Sequence, residues 1–233
     1  MAMMTDAILA VWNNVVSTSE AEFNEWYIRD HLPDRVSLPG FRRGRRWLSA
    51  GGGPRYFTFY EIEDVAVMQS PDYLDRHENP TDWTRRMMPA FRDMNRSICR
   101  VTAKRHRGDG GAAGLVRLTP AEGAEAGLRR WIAESVLPRL MLAPGILAAS
   151  LWELDVVASR MPDTAETRLR GTRDAVVDWV LVVEASRLEE LDPIAAAVDA
   201  GVAGREGAAR VAPPDTYRLL CGLDFDLAGS AEG

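Results

Sequence analysis

Trp26-Tyr-Ile-Arg-Asp-His-Leu-Pro-Asp-Arg-Val-Ser-Leu-Pro-Gly-Phe-Arg-Arg-Gly-Arg-Arg-Trp47 decides how this chain is read, because its landmarks return 105 residues later. Trp26, Leu32, Pro33, Pro39, Gly40 and Trp47 fall on Trp131, Leu137, Pro138, Pro144, Gly145 and Trp152 at unchanged intervals. Tryptophan and proline are scarce, so the shared register marks a duplicated unit. The copies differ where chemistry would sit: His31 aligns with Val136, and Arg35 with Leu140. One copy keeps polar side chains where the other has apolar ones, which directs the search for a site to the first.

Outward from that core, both copies read as the same series of elements. Residues 7–12 are a short apolar run suited to a buried strand. Ser17-Thr-Ser-Glu20 offers helix-start chemistry, and Phe23, Trp26, Tyr27 and Asp30 follow at helical spacing. Pro33 has no backbone donor and is expected to stop or kink that helix. Residues 42–48 form a second strand, Gly51-Gly-Gly-Pro54 a hairpin loop, and 55–60 a third strand rich in aromatic residues. Ser70-Pro71 is a cap with proline at the first helical position, and Asn79-Pro-Thr-Asp82 opens a further helical piece over 83–95. Residues 98–105 close the unit as its fourth strand. The order β-α-β-β-α-β is the ferredoxin-like motif.

In the second copy, strands are expected at 115–118, 146–157, 178–184 and 216–226, with helices at 121–142 and 188–200. The polar, arginine-rich stretch 159–174 reads as a mobile hairpin loop. Residues 1–107 are thus one repeat, 108–114 a Gly-rich linker, 115–227 the second repeat and 228–233 a disordered tail. A four-stranded sheet with helices on one face needs a partner for the other, and two such sheets in one chain can supply each other.

Hydrophobic residues make up 46% of the 233, enough for a packed core. A net charge of −6 leaves no general basic field, so nucleic acid is not an expected partner. The runs Arg42, Arg43, Arg45, Arg46 and Arg100, Lys104, Arg105, Arg107 lie on strands and read as solvated sheet edges. No apolar stretch nears the roughly 20 residues that span a bilayer, and residues 1–10 lack the pattern of a secretory signal. A cytoplasmic location is the expectation. Cys99 and Cys221 read as small buried thiols, and three histidines leave no zinc set. P-loop, Rossmann and nucleophile-elbow patterns are missing from the sequence.

Asn24-Glu-Trp-Tyr-Ile-Arg-Asp-His-Leu-Pro-Asp-Arg35 followed by Leu38-Pro-Gly-Phe41 resembles the first-helix motif of the dimeric α/β-barrel superfamily. With Ser70-Pro-Asp-Tyr-Leu74 and Asn79-Pro-Thr-Asp-Trp-Thr84, the chain is similar to an uncharacterised bacterial group of tandem-repeat members. The resemblance implies an α+β fold in which two tandem ferredoxin-like repeats pack sheet to sheet as an intramolecular dimeric α/β barrel. It fixes no activity, since one scaffold carries many chemistries. Relatives include lactone isomerases, polyketide cyclases, cofactor-free monooxygenases, heme-degrading enzymes, chlorite-dismutase-like heme proteins and non-catalytic binders.

His31 is the candidate catalytic group, because imidazole exchanges protons near neutral pH. The resemblance implies that it lies near the cavity; the bland alternative is a histidine that caps its helix end. Tyr27 lies one turn before it, and Asp30 and Asp34 are close enough in sequence to set its tautomer. Trp12 and Asn14 share one face of the first strand, and Asn14 is a candidate ligand contact. Tyr56, Thr58 and Tyr60 share a face of the third strand that suits a cavity wall. Arg43, Arg45 and Trp47 alternate on the second, where Arg45 would hold a carboxylate or enolate oxygen.

The expected protein is therefore cofactor-free and binds a small organic ligand, anionic aromatic or lactone-like, in its N-terminal repeat. Turnover would be isomerisation, cyclisation or lyase chemistry, with His31 as general acid or base and Tyr27, Asn14, Arg45, Trp47 and Tyr60 around the substrate. A non-catalytic binding or assembly protein is the alternative. A heme-binding, monooxygenase-like protein is a second, in which the resemblance implies His77 as axial ligand. Pro71 and Pro80 break that helix, however, and the second half holds no histidine. Association into a homodimer beyond the internal pair is left open.

Overall fold

Strands whose both faces are apolar belong to a sheet covered on both sides, and here that sheet is closed. The computed structural model describes residues 6–160, 162–192, 194 and 207–225. Strands β1 (Ala7–Val15), β2 (Phe41–Gly51), β3 (Tyr56–Ile62) and β4 (Phe91–His106) bond in the order β4-β1-β3-β2. From the second half come β5 (Ala112–Pro120), β6 (Ile146–Leu154), β7 (Trp179–Ala185), the short β8 (Ala208–Val211) and β9 (Asp215–Asp224). Four of them follow the matching order β9-β5-β7-β6, with β8 appended beside β5. The ladders β4–β6 and β2–β9 then join the two sheets, so eight antiparallel strands close a barrel. The fold is α+β, and closure leaves its eight strands without a free edge.

Inside the barrel the two sheets also meet face to face. Phe59 lies 5.3 Å from Trp152 between ring centroids and Phe57 lies 6.3 Å from it, with Trp12, Trp47, Val180 and Tyr217 filling the same core. The opposite face of each sheet packs against helices as a separate core. Closure also corrects the reading of the first arginine run. β2 pairs with β9 instead of meeting solvent, and Arg45 and Arg46 are only 4% and 1% exposed.

Helix α1 is composite: α-helical Glu20–Trp26, a π-helical turn Tyr27–His31, and α-helical Leu32–Val36. Helix α4 has the same construction in Glu125–Trp131, Ile132–Val136 and Leu137–Leu140. The Leu32 N–H donates to the Tyr27 carbonyl, and the Leu137 N–H to that of Ile132. This five-residue step widens the turn directly ahead of each proline, so the helix passes through Pro33 instead of stopping there.

Helix α2 (Pro71–Glu78) begins at Ser70, whose side chain accepts from the Tyr73 N–H, and α3 (Asp82–Met87) at Thr81, which caps Thr84. The expected helix over 83–95 is cut short. A 3₁₀ turn at Met88–Ala90 follows α3, and β4 starts at Phe91, paired with Val15. Pro89 supplies no helical donor, and pairing with β1 captures the following residues as strand. β5 begins at Ala112, inside the Gly-rich stretch.

In the second half, α5 (Ala165–Arg170) forms within the stretch read as a loop, and buries Glu166 and Arg170. A 3₁₀ turn at Leu188–Leu191 begins where the last helix was expected; most of that helix and the 228–233 tail lie outside the described residues. No helix among the described residues is long and apolar enough to cross a membrane.

Candidate functional site

Side chains four apart on a helix share a face, and on α1 that face carries Tyr27, His31 and Arg35 toward the first sheet. Tyr60 meets them from β3, Tyr73 and His77 from α2, Arg96 from β4, and Glu166 and Arg170 from α5. Together with Leu9, Val11, Met88 and Phe91 these groups enclose a cavity of about 40 Å³. That is room for one or two waters.

The His31 ring stacks on Trp26, centroids 4.4 Å apart, and meets Tyr27 edge-on at 5.0 Å. Its Nδ1 is buried with no hydrogen-bond partner among the described residues. Burial, reinforced by the Arg35 charge, holds its pKa well below the ordinary histidine value, so the ring is neutral at pH 7. The two nearby aspartates do not set its tautomer. Asp30 accepts from the Thr81 and Thr84 hydroxyls at 3.0–3.1 Å, and Thr84 in turn accepts from Trp26 Nε1. Asp34 pairs with Arg35 at 2.7 Å and with Arg76.

Arg35 is 3% exposed and donates through Nη2 to Glu166, itself 2% exposed; the far oxygen of Glu166 lies 3.0 Å from His77 Nδ1. Burial alone would raise the Glu166 pKa, yet Arg35 and His77 outweigh it and hold the carboxyl well below the usual range. Burial lowers His77 to about 4 despite the Glu166 charge, with Arg35 working in the same direction as burial. Its Nε2 has no partner among the described residues, and its ring packs on Tyr73 at 4.5 Å. The Tyr73 hydroxyl accepts from Arg96 Nη2 at 2.9 Å.

The Tyr27 and Tyr60 hydroxyls lie 3.4 Å apart. Burial raises both phenol pKa values, so both remain O–H groups at neutral pH. Behind them the Arg46 guanidinium lies over the Tyr27 ring at 4.1 Å and the Tyr56 ring at 4.4 Å, and donates to Asn24 Oδ1 at 2.8 Å.

Of the expected ligand contacts, His31, Tyr27 and Tyr60 are thus brought together, and the other three are not. Arg45 and Trp47 point to the opposite face of the sheet. There Arg45 pairs with Glu184 at 2.6 Å, donates to the Gly110 carbonyl and lies 4.6 Å over Trp47. Asn14 sits at the end of β1, where it donates to Asp93 and accepts from the Arg55 N–H. Glu166, Tyr73 and Arg96 were not named as site residues from the sequence, whereas Arg35 was marked by its contrast with Leu140 but given no role.

The heme alternative calls for His77 as axial ligand; here its ring packs on Tyr73 at 4.5 Å and its Nδ1 lies 3.0 Å from Glu166, so the side chain is covered on two sides. No metal-binding cluster occurs among the described residues. Outside the cavity lies an open groove of about 580 Å³ lined by Ser159, Thr167, Arg170, Gly171, Arg173 and Asp174, among others. It shares Arg96 and Arg170 with the inner cavity.

Neither protein-family models nor curated proteins match the sequence. Solved structures do resemble the fold. An anthrone oxidase-like protein superposes with a TM-score of 0.65 at 10% identity, covering 94% of this chain and 92% of its own. A proposed monooxygenase from Fusobacterium nucleatum subsp. nucleatum gives 0.61 at 11% identity, over 95% and 96%. A protein described as a chlorite dismutase, TA0507, gives 0.55 at 12% identity, over 98% and 100%. Identities this low show a shared fold alone.

Proposed function

We propose that the chain binds a small organic molecule between the first sheet and its helices and moves a proton on it, with His31 as general base and then acid. The observation that carries this reading is the His31 ring itself. It is neutral, packed on Trp26, carries a buried Nδ1 without a partner among the described residues, and lines the cavity together with Tyr27, Tyr60 and Arg35. A neutral imidazole accepts a proton from carbon next to a carbonyl. Tyr27 and Tyr60 then donate to the oxygen on which charge collects, and Arg35 balances that charge. Arg35 thus takes the role that the strand pattern suggested for Arg45.

The two halves, residues 1–107 and 115–227, are on this reading tandem copies of one ferredoxin-like unit. The first kept His31 and Arg35; the second holds Val136 and Leu140. The substrate is a compound with an acidified C–H, as in isomerisation, cyclisation or elimination.

The test is deuterium exchange. A panel of enolisable ketones and unsaturated lactones, each with and without a carboxylate, is incubated with the protein in D₂O and followed by NMR. The expected result is exchange that His31→Ala slows by about 100-fold or more without loss of folding. Exchange that persists in this variant would remove His31 from the chemistry. Saturable binding without exchange would establish a binding protein instead.

A further inference from the structure

Beyond β6, residues 158–160 and 162–174 of the second half lie against the first half. Ala158 packs into the first half's core, the Ala165 N–H donates to Glu78 Oε2 at 2.9 Å, and Arg168 pairs with Glu78 Oε1 at 2.8 Å. The Arg168–Glu78 pair is about half exposed, the kind that holds a segment only weakly. Glu166 differs from these contacts. It is inserted into the cavity, and it meets Arg35 with the charge and geometry of a bound carboxylate.

Three observations make this insertion more than a structural ion pair. The remaining cavity of about 40 Å³ is too small for an organic substrate, while the adjoining groove of about 580 Å³ is large enough. Helix α5 lines both, with Glu166 on the inner side, Thr167 on the outer and Arg170 on each. Next to Glu166, the nine-tenths-buried His77 presents an unpartnered Nε2, and His31 an unpartnered Nδ1.

We propose that Glu166 is the internal occupant of an anion subsite built by Arg35 and His77, displaced when a small carboxylate enters from the groove and α5 moves aside. The exchange keeps Arg35 paired throughout: one carboxylate replaces another, and Glu166 regains its hydration. A neutral ligand would instead leave the buried Nη2 side of Arg35 without its charged partner, Asp34 holding only Nη1, which is unfavourable. The subsite therefore selects carboxylates over their amides. The inference rests on the cavity being a ligand site, and it adds the class of ligand and the manner of its entry.

Benzoate and benzamide, as matched probes, are titrated into the whole chain, its E166A and E166Q variants, and R35L/E166L. The readouts are ring ¹⁵N–¹H NMR of the three histidines and thermal stability. Wild type is competent only while Glu166 is out, so benzoate is expected to bind E166A about tenfold tighter or better. It should shift His31 and His77 but not His106, and raise the Tm of E166A. Benzamide should do none of this, and R35L/E166L should not respond to benzoate. E166Q preserves side-chain volume and keeps the comparison decisive should E166A not fold. Equal benzoate affinity in wild type and both single variants overturns the displacement while leaving the cavity a ligand site. Absence of histidine shifts in every protein overturns the anion subsite, and the deuterium exchange experiment decides the catalytic reading independently.

Discussion

Glu166 and Arg35 stand 131 positions apart, one in each half of the chain, and meet as an ion pair in which both side chains are 3% exposed. Such a pair is costly to break from one side, because the remaining charge stays buried. Arg35→Leu, which installs the residue found at position 140, is expected to destabilise the protein by about 3–5 kcal/mol. R35L/E166L removes both charges and should recover most of that loss. Urea unfolding of the two variants and wild type gives both numbers.

Acid should begin to weaken the fold in the range where an unfolded histidine takes its proton. An unfolded histidine takes its proton near 6.5, whereas folded His77 takes one only near about 4. Between those values the unfolded chain holds more protons, so stability falls as pH drops through the window and stops falling on this account below it. His31 acts in the same direction, being held neutral by burial and Arg35. Glu166, depressed by Arg35 and His77 against burial, remains charged through the window and contributes its loss only at lower pH. Thermal unfolding from pH 7 to pH 4 should show a falling Tm, and His77→Gln should flatten the fall.

His31→Val tests whether this position serves stability or chemistry. Val136 occupies the same place in the second π-helical turn and is 5% exposed, so valine suits the local backbone. The expected change in unfolding free energy is within about 1 kcal/mol, with proton exchange lost. A much larger loss of stability, measured by urea unfolding, would give the imidazole a structural role.

Gly40 has φ +87°, and a Cβ there would lie 2.5 Å from a Val67 methyl. Gly40→Ala combines left-handed strain with a steric clash and should cost about 2 kcal/mol or more by thermal or urea unfolding.

The barrel was more legible in the sequence than the site. The Trp26–Trp47 register and its recurrence at Trp131–Trp152 carried the strand order, because scarce residues at fixed spacing constrain both halves at once. The π-helical turn was not legible, since an apolar stripe does not distinguish a four-residue step from a five-residue step ahead of Pro33. Alternation placed Arg43, Arg45 and Trp47 on one face, but period two cannot say which face meets the helices. The aromatics decide that: Phe57 and Phe59 fill the barrel, while Tyr56 and Tyr60 face α1. Glu166 was out of reach for another reason. Its partners are remote in sequence, and polar residues on an arginine-rich hairpin look the same whether solvated or docked.

Closing the barrel through β4–β6 and β2–β9 inside one polypeptide makes assembly unimolecular, so dilution does not separate the halves. The same covalent link ends an obligation to symmetry. Two identical chains would carry two identical cavities, and any substitution would strike both. In a single chain one helix can carry His31 and Arg35 while the other carries Val136 and Leu140, and a segment of one half can insert Glu166 into the other. Two identical subunits in a symmetric pair cannot adopt that asymmetry.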